Sequence, residues 1–520
     1  MVTITEERAT ALLRGVAANP RAGTEVLTRL LAPAAADARE VLQRRPLPAE
    51  FVQRTLRTGD RRERSAVARN LHLTADQCRQ VIRDPEDLVA AALVSARPFR
   101  QGTARAVQLP DDVVDLVLLG TAQRETMMLL PKEIAEELVT SGHLVGHRRR
   151  LVDHPEPALR AFACTYWTEL GEDQRAALLA DPDPEVRAKA HRNAHPDLAE
   201  LGTQYTENSP RNQVTHCWAS ALPDELLDTL ITERTHLAGL VRNPYLPPHA
   251  VRRLAADPDP AVRRRIAERP DVEADLLAVL AADPDEGVRR CAELLPAPRT
   301  RGRAAAVFGL FGASVADLPW PMAEPVDDPG LDWYHACAAS PEAVLRRAAA
   351  ISPRLDAATV QRLAADPDRE VRLRLALHHP DAPPTLLLEA YAQLPAHRSR
   401  LRLRPAFPRT GLPPGLATDA DPAVRELAAA DPEFGGDLET LLADPDPGVR
   451  RAAAANPRLP ADRVAALLTG PEADSETDPE TGPDADLGLL EGAAASPHLT
   501  DRRLHELLDL AGIPRSGPAG

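Results

Sequence analysis

The sequence predicts an all-α chain, an α-solenoid of short paired helices with about 25 residues per repeat. Three observations carry this reading. The string Asp-x-Asp-x-x-Val-Arg occurs six times, at Asp181–Arg187, Asp257–Arg263, Asp283–Arg289, Asp366–Arg372, Asp419–Arg425 and Asp444–Arg450. Its starts lie 76, 26, 83, 53 and 25 residues apart, close to three, one, three, two and one copies of one unit. The 51 prolines punctuate Ala/Leu/Val/Arg runs at regular intervals instead of clustering.

Each position in the string has a physical task. Asp183, Asp259, Asp285, Asp368, Asp421 and Asp446 are predicted N-caps, because a carboxylate accepts the orphan N–H groups of a first turn and suits the positive end of the helix dipole. Proline follows the cap at 184, 260, 422 and 447, the N1 position, where a missing N–H costs nothing. Val186/Ala190, Val262/Ile266, Val288/Ala292, Val371/Leu375, Val424/Ala428 and Val449/Ala453 are i,i+4 pairs that place a narrow apolar stripe on one face. Pro270, Pro296, Pro432 and Pro457 end that helix.

A second string predicts the other helical piece. Asn243 is followed by Leu246, Val251 and Leu254. The same offsets give Asn456 with Leu459, Val464 and Leu467, Ser352 with Leu355, Val360 and Leu363, and Ser496 with Leu499, Leu504 and Leu507. Asn19 keeps Leu27 and Leu30. One such unit cannot bury its stripe alone, whereas stacked neighbours can.

The joined pattern, Asn-Pro-x-x-Pro-x-x-x-Val-x-x-Leu-Ala-x-Asp-Pro-Asp-x-x-Val-Arg, resembles the leucine-rich repeat variant family. The likeness is clearest at Asn243–Arg263, Ser352–Arg372 and Asp444–Leu467. Through Asp-Pro-x-x-x-Val-Arg the sequence also looks like HEAT repeats, whose longer period fits less well. The resemblance covers about residues 150–512 well and 1–150 weakly. It implies alternating α- and 3₁₀-helices in a right-handed superhelix. HEAT-like folds use such Asp and Arg residues as an inter-repeat hydrogen-bond ladder, and that is the role expected for Arg187, Arg263, Arg289, Arg372, Arg425 and Arg450. One member of the family carries an N-terminal Cys cluster with an iron–sulfur centre. This sequence departs from it, with Cys78 alone in its N-terminal region and no Cys-x-x-Cys, so no cofactor is expected.

The rhythm divides the chain. Residues 1–150 read as degenerate helical repeats, with Asn70-Leu71 where Asn-Pro is expected, and 151–296 as regular repeats. Residues 297–335 form a Pro/Gly-rich insert, either a binding-face loop or a plain surface loop. Repeats resume at 336–470. Residues 471–486 are an acidic linker, and 487–512 are one more repeat or a C-terminal cap.

Composition narrows the function. Hydrophobic residues make up 44% and aromatics 3%. The net charge of -15 opposes binding to bulk nucleic acid and anionic membrane. The longest apolar run, Ala304 to Ala316, has 13 residues, short of the roughly 20 that a membrane span needs. No signal-like N-terminus is read, and five scattered cysteines do not form a disulfide framework, so a cytoplasmic location is expected. His216-Cys217 and His335-x-Cys337 each supply half a zinc site and read as ordinary buried residues. No Gly-rich phosphate loop, Gly-x-Ser-x-Gly or His-Glu-x-x-His occurs, and the chain reads as no enzyme.

What remains is a scaffold or adaptor that holds a partner protein or peptide on a repeat surface. The alternative is a nucleic-acid-binding HEAT-like protein of the DNA glycosylase kind. The expected partner contacts are the pattern-breaking residues Trp320, Trp333 and Tyr334, with Arg398, Arg400, Arg402 and Arg404. Trp, Tyr and Arg dominate interface energetics. If residues 398–404 are extended, the four arginines share one face and can clamp phosphates or an acidic partner.

Overall fold

A computed structural model describes residues 4–94, 109–123, 147–207, 209–295, 299–308, 330–469 and 484–515. Every regular element among them is helical, and none is a strand. Seven helices carry the argument: α1 (Glu6–Ala18), α2 (Thr24–Leu30), α3 (Pro210–Ala219), α4 (Arg398–Leu403), α5 (Pro447–Ala455), α6 (Asp484–Ala495) and α7 (Asp501–Leu510).

The six cap aspartates do what their spacing predicts. Asp259 Oδ1 accepts the Ala261 N–H at 2.8 Å, and Asp183, Asp285, Asp368, Asp421 and Asp446 cap their own helices. All twelve residues of the six i,i+4 pairs are buried. Asp259→Ala is expected to cost about 0.5–2 kcal/mol, the usual range for losing a cap acceptor. Thermal or urea unfolding of the full chain measures this, and an unchanged midpoint would mean that water replaces the cap.

The first Asp of each string has a separate task. Asp181, Asp257, Asp283, Asp366, Asp419 and Asp444 each accept the N–H of the cap residue two positions on, at 2.8–2.9 Å. At Asp181, Asp283, Asp366 and Asp444 an arginine one unit earlier also grips the carboxylate with two N–H donors. Arg263 holds Asp283 at 2.7 and 2.8 Å, Arg425 holds Asp444 at 2.8 Å twice, and Arg160 and Arg346 do likewise for Asp181 and Asp366. A third donor on each of these arginines bonds the carbonyls of its own Asp-Pro turn or the equivalent turn, as Arg263 Nη1 does with Asp257 O at 2.8 Å. Of the six arginines expected in the ladder, Arg263 and Arg425 make this inter-unit fork, while Arg187, Arg289, Arg372 and Arg450 bond the carbonyls of their own turns. Hydrogen bonds from Arg160, Arg263 and Arg425 hold the Asp181, Asp283 and Asp444 carboxyls below their ordinary range.

The asparagines close the other end of the helix. Asn243 Nδ2 donates to the carbonyls of Cys217 and Ser220, at 3.0 and 2.8 Å, while its Oδ1 accepts the Tyr245 N–H at 2.8 Å. Asn456 and Asn70 make the same bonds to Ala429 and Asp431, and to Leu42 and Arg45. The last turn of a helix leaves orphan carbonyls, and one buried amide satisfies two of them. Arg45, Arg269 and Arg299 stand in for asparagine elsewhere, each guanidinium bonding two carbonyls one unit back.

The second pieces are α-helices, at Pro248–Ala255, Ala274–Ala281, Ala357–Ala364, Ala461–Thr469 and α7. The 3₁₀ pieces that the resemblance implies occur at Pro33–Ala38, Cys164–Glu169 and Pro414–Thr418, the last in the second-piece position before Asp419, whereas the five pieces just named are α-helical. These pieces have eight to ten residues, and 3₁₀ runs rarely exceed four. The degenerate N-terminal block also keeps the bonding scheme, through Asn70 and through Arg64, which grips Asp84 at 2.8 and 3.2 Å.

The chain divides into two compact units, one of residues 1–117, 127–129 and 383–520, the other of 118–126 and 130–382. In the first, α5 packs against Pro422–Ala429 on one side and α6 on the other, and α6 packs in turn against α1. Residues from the two ends of the sequence therefore share one core. In the second, a continuous apolar core runs from Tyr205 through Leu240, Leu254, Ile266, Leu280 and Val288 to Ala348.

Candidate partner-binding surface

Residues 398–403 are the helix α4, preceded by a 3₁₀ turn at Pro395–His397. At about 100° per residue, alternate positions on a helix point in different directions, so the four arginines do not form the extended clamp. Arg398 ties neighbouring pieces together. Its Nε donates to the Tyr391 carbonyl at 2.9 Å, its guanidinium lies over the Tyr391 ring at 5.2 Å, and it pairs with the cap residue Asp421. Arg400 and Arg404 are half-buried, and burial pushes each guanidinium down to about 10. Of the four, Arg402 alone is exposed.

Tyr334, on the helix Leu331–Ala338, is buried. Trp333 packs against the core of its unit, edge-on to Tyr334 at 5.2 Å, with the Arg303 guanidinium 5.7 Å from its ring centre. Tyr334 is buried and Trp333 half-buried, both packed where the repeat rhythm breaks. Trp320, most of the 297–335 insert and most of the 471–486 linker lie outside the described residues.

Among the described residues, the exposed aromatic is Trp218. It is 57% accessible, and Val214 one turn before it is 45% accessible. Both sit on α3, which starts with Pro210 at N1 and ends at Ser220, whose carbonyl Asn243 satisfies. The opposite face of α3 is committed. Cys217 is fully buried, and Gly239 lies against the backbone of Val214 and Trp218, where an added Cβ would stand 3.5 Å from Val214 O and 3.8 Å from Trp218 N. The sequence reading missed Trp218 because Val214 and Trp218 have the i,i+4 spacing of a core stripe. The buried neighbour Cys217, 100° around the helix, marks the other face as the inner one.

A cleft of about 500 Å³ in the first unit is lined by Leu56, Asp76, Arg79, Arg83 and Asp84 among others. Arg79 pairs there with Asp76 and Asp112, and Asp84 with Arg64. All five cysteines are free thiols and buried, and burial pushes Cys291 up to about 11 and Cys337 up to about 12. Among the described residues, no three His, Cys, Asp or Glu side chains converge as a metal would require, and no helix is long and apolar enough to cross a membrane. No family model and no curated protein matches the chain.

Proposed function

We propose that the chain is a non-enzymatic scaffold or adaptor that binds a partner protein or peptide. On this reading its repeats form an α-solenoid of the leucine-rich repeat variant type, wound as a right-handed superhelix. One observation carries the proposal. The repeating Asp, Arg and Asn side chains are spent on bonds between neighbouring pieces, while Trp218 and Val214 leave a large apolar pair in solvent. A tryptophan flanked by committed polar groups is the arrangement that anchors interfaces.

Affinity capture with the full chain tests this. Trp218→Ala should leave the helical circular dichroism spectrum unchanged, because the ring is more than half exposed. It should reduce capture of at least one partner tenfold or more, the scale of an interface anchor. Arg402→Ser serves as the comparison. An identical capture profile for wild type and Trp218→Ala would reject this surface. Salt-sensitive retention of duplex DNA by both proteins would favour the glycosylase-like alternative.

A further inference from the structure

The first and last helices of the chain meet as consecutive layers. Asn19, fully buried, donates its Nδ2 to Ala494 O at 3.1 Å and Ser496 O at 2.7 Å. This is the bond pair that Asn456 makes to Ala429 and Asp431 one unit back in the same chain. The pattern continues without a break, since Arg45 bonds Ala17 O and Asn19 O at 2.7 and 2.6 Å, and Asn70 bonds Leu42 O and Arg45 O. The terminal helices are thus in register, although no peptide bond links them.

The seam is closely fitted. A Cβ on Gly15 of α1 would collide with the Glu491 carbonyl oxygen of α6. On the opposite side of α6, a Cβ on Gly492 would collide with the Arg451 carbonyl oxygen of α5, and one on Gly488 would stand 2.7 Å from Pro447 O. Glycine is what permits helices to approach this closely. Charges match across the seam, with Arg14 3.5 Å from Glu491. Arg29 of α2, 4% exposed, reaches the end of α7, where it pairs with Asp509 at 2.6 Å and bonds the carbonyls of His505, Ile513 and Pro514.

The layer formed by α6 and α7 lies between α5 and α1. Residues 470–483 lead into it from Ala461–Thr469, and its other face packs against α1 and α2. The two faces of the seam differ and are complementary, which is the condition for exchange of an element between copies.

We propose that α6 and α7 form an exchangeable layer, and that the α5–α1 gap of one chain accepts this layer from a second copy of the same chain. Residues 470–483 join the layer covalently to Ala461–Thr469, so closing its own seam is an intramolecular step that each chain takes ahead of a second copy at ordinary concentrations. Exchange takes over when self-closure is blocked. The proposal is independent of which partner the repeats hold.

Two full-length variants test it. Gly15→Leu spoils the α1 wall but keeps a sound α6, and Gly492→Leu spoils α6 but keeps sound walls. Alone, each should lose slow hydrogen exchange across residues 484–515 and remain a single chain by light scattering. Mixed in equal amounts, they should form a pair of twice the 56.2 kDa chain mass, with protection restored in about half of the 484–515 segments. Single-chain mass and fast exchange in the mixture would overturn the proposal. So would wild-type protection in either variant alone. If a leucine variant loses helical signal, the gentler pair Gly15→Ala and Gly492→Ala is read by the same two measurements.

Discussion

Replacing Val449 by Asp is expected to destabilise its unit by about 4 kcal/mol or more at pH 7, the largest single-residue effect among the repeat positions. Val449 is 0% exposed, and its helix α5 is covered by Pro422–Ala429 on one side and α6 on the other. A carboxylate there is taken out of bulk water, so burial raises its folded-state pKa above the unfolded value of about 3.9. The sign follows directly. The ionisation penalty is absent below the unfolded pKa and grows as pH rises above it. The gap in unfolding free energy between wild type and Val449→Asp should therefore widen from pH 4 to pH 7. Val449→Thr keeps the shape and adds only a hydroxyl, so it should cost about 1–3 kcal/mol with no such pH dependence. A midpoint for Val449→Asp within experimental error of wild type would mean that this face of α5 is not the inner one.

The inward direction of Val449 was legible because two constraints agree at one position. Asp446 fixes where the helix starts, and Val449 with Ala453 fixes which face turns in. The same agreement made all six copies readable. The arginine ladder was readable only in part. Arg160 and Arg346 make the same fork as Arg263, yet they follow Leu159 and Leu345, so a search for Val-Arg passes over them. Asn70 reads as a departure because proline does not follow it, yet the amide alone makes the bonds.

Other features had no local signal. Whether residues 398–404 are helical or extended decides where four arginines point, and the alternation of arginine with leucine and serine fits a strand as well as a helix. Trp333 and Tyr334 drew notice as residue types that bind partners, but the same rings fill cores when the repeat rhythm leaves a gap. The seam between Asn19 and Ser496 joins residues 477 positions apart. Its one written trace is that Asn19 and Ser496 each open a copy of the second string, which says that both belong to repeats but not that those repeats are neighbours.

Removing one arginine of the ladder is the second large effect. Arg263→Ala is expected to cost about 3 kcal/mol, the lower end of the range for breaking a buried pair, because both side chains keep slight solvent access at 12% and 7%. The loss exceeds the worth of the pair itself. Asp283 is left with the Asp285 N–H but without its two guanidinium donors, in a site that water barely reaches. Asp283→Asn with Arg263→Ala removes the stranded charge, so the double variant should be more stable than the two single losses combined, by about 1–3 kcal/mol in a double-mutant cycle. The pH dependence separates this from a packing loss. Arg263 holds the Asp283 carboxyl below its unfolded value, so the pair contributes fully above about pH 4 and its contribution fades as pH falls through the folded-state pKa. The difference between wild type and Arg263→Ala should be flat from pH 6 to 8 and shrink below about pH 4. A difference that stays constant down to pH 2 would assign the loss to removal of the arginine's apolar stem and not to the fork.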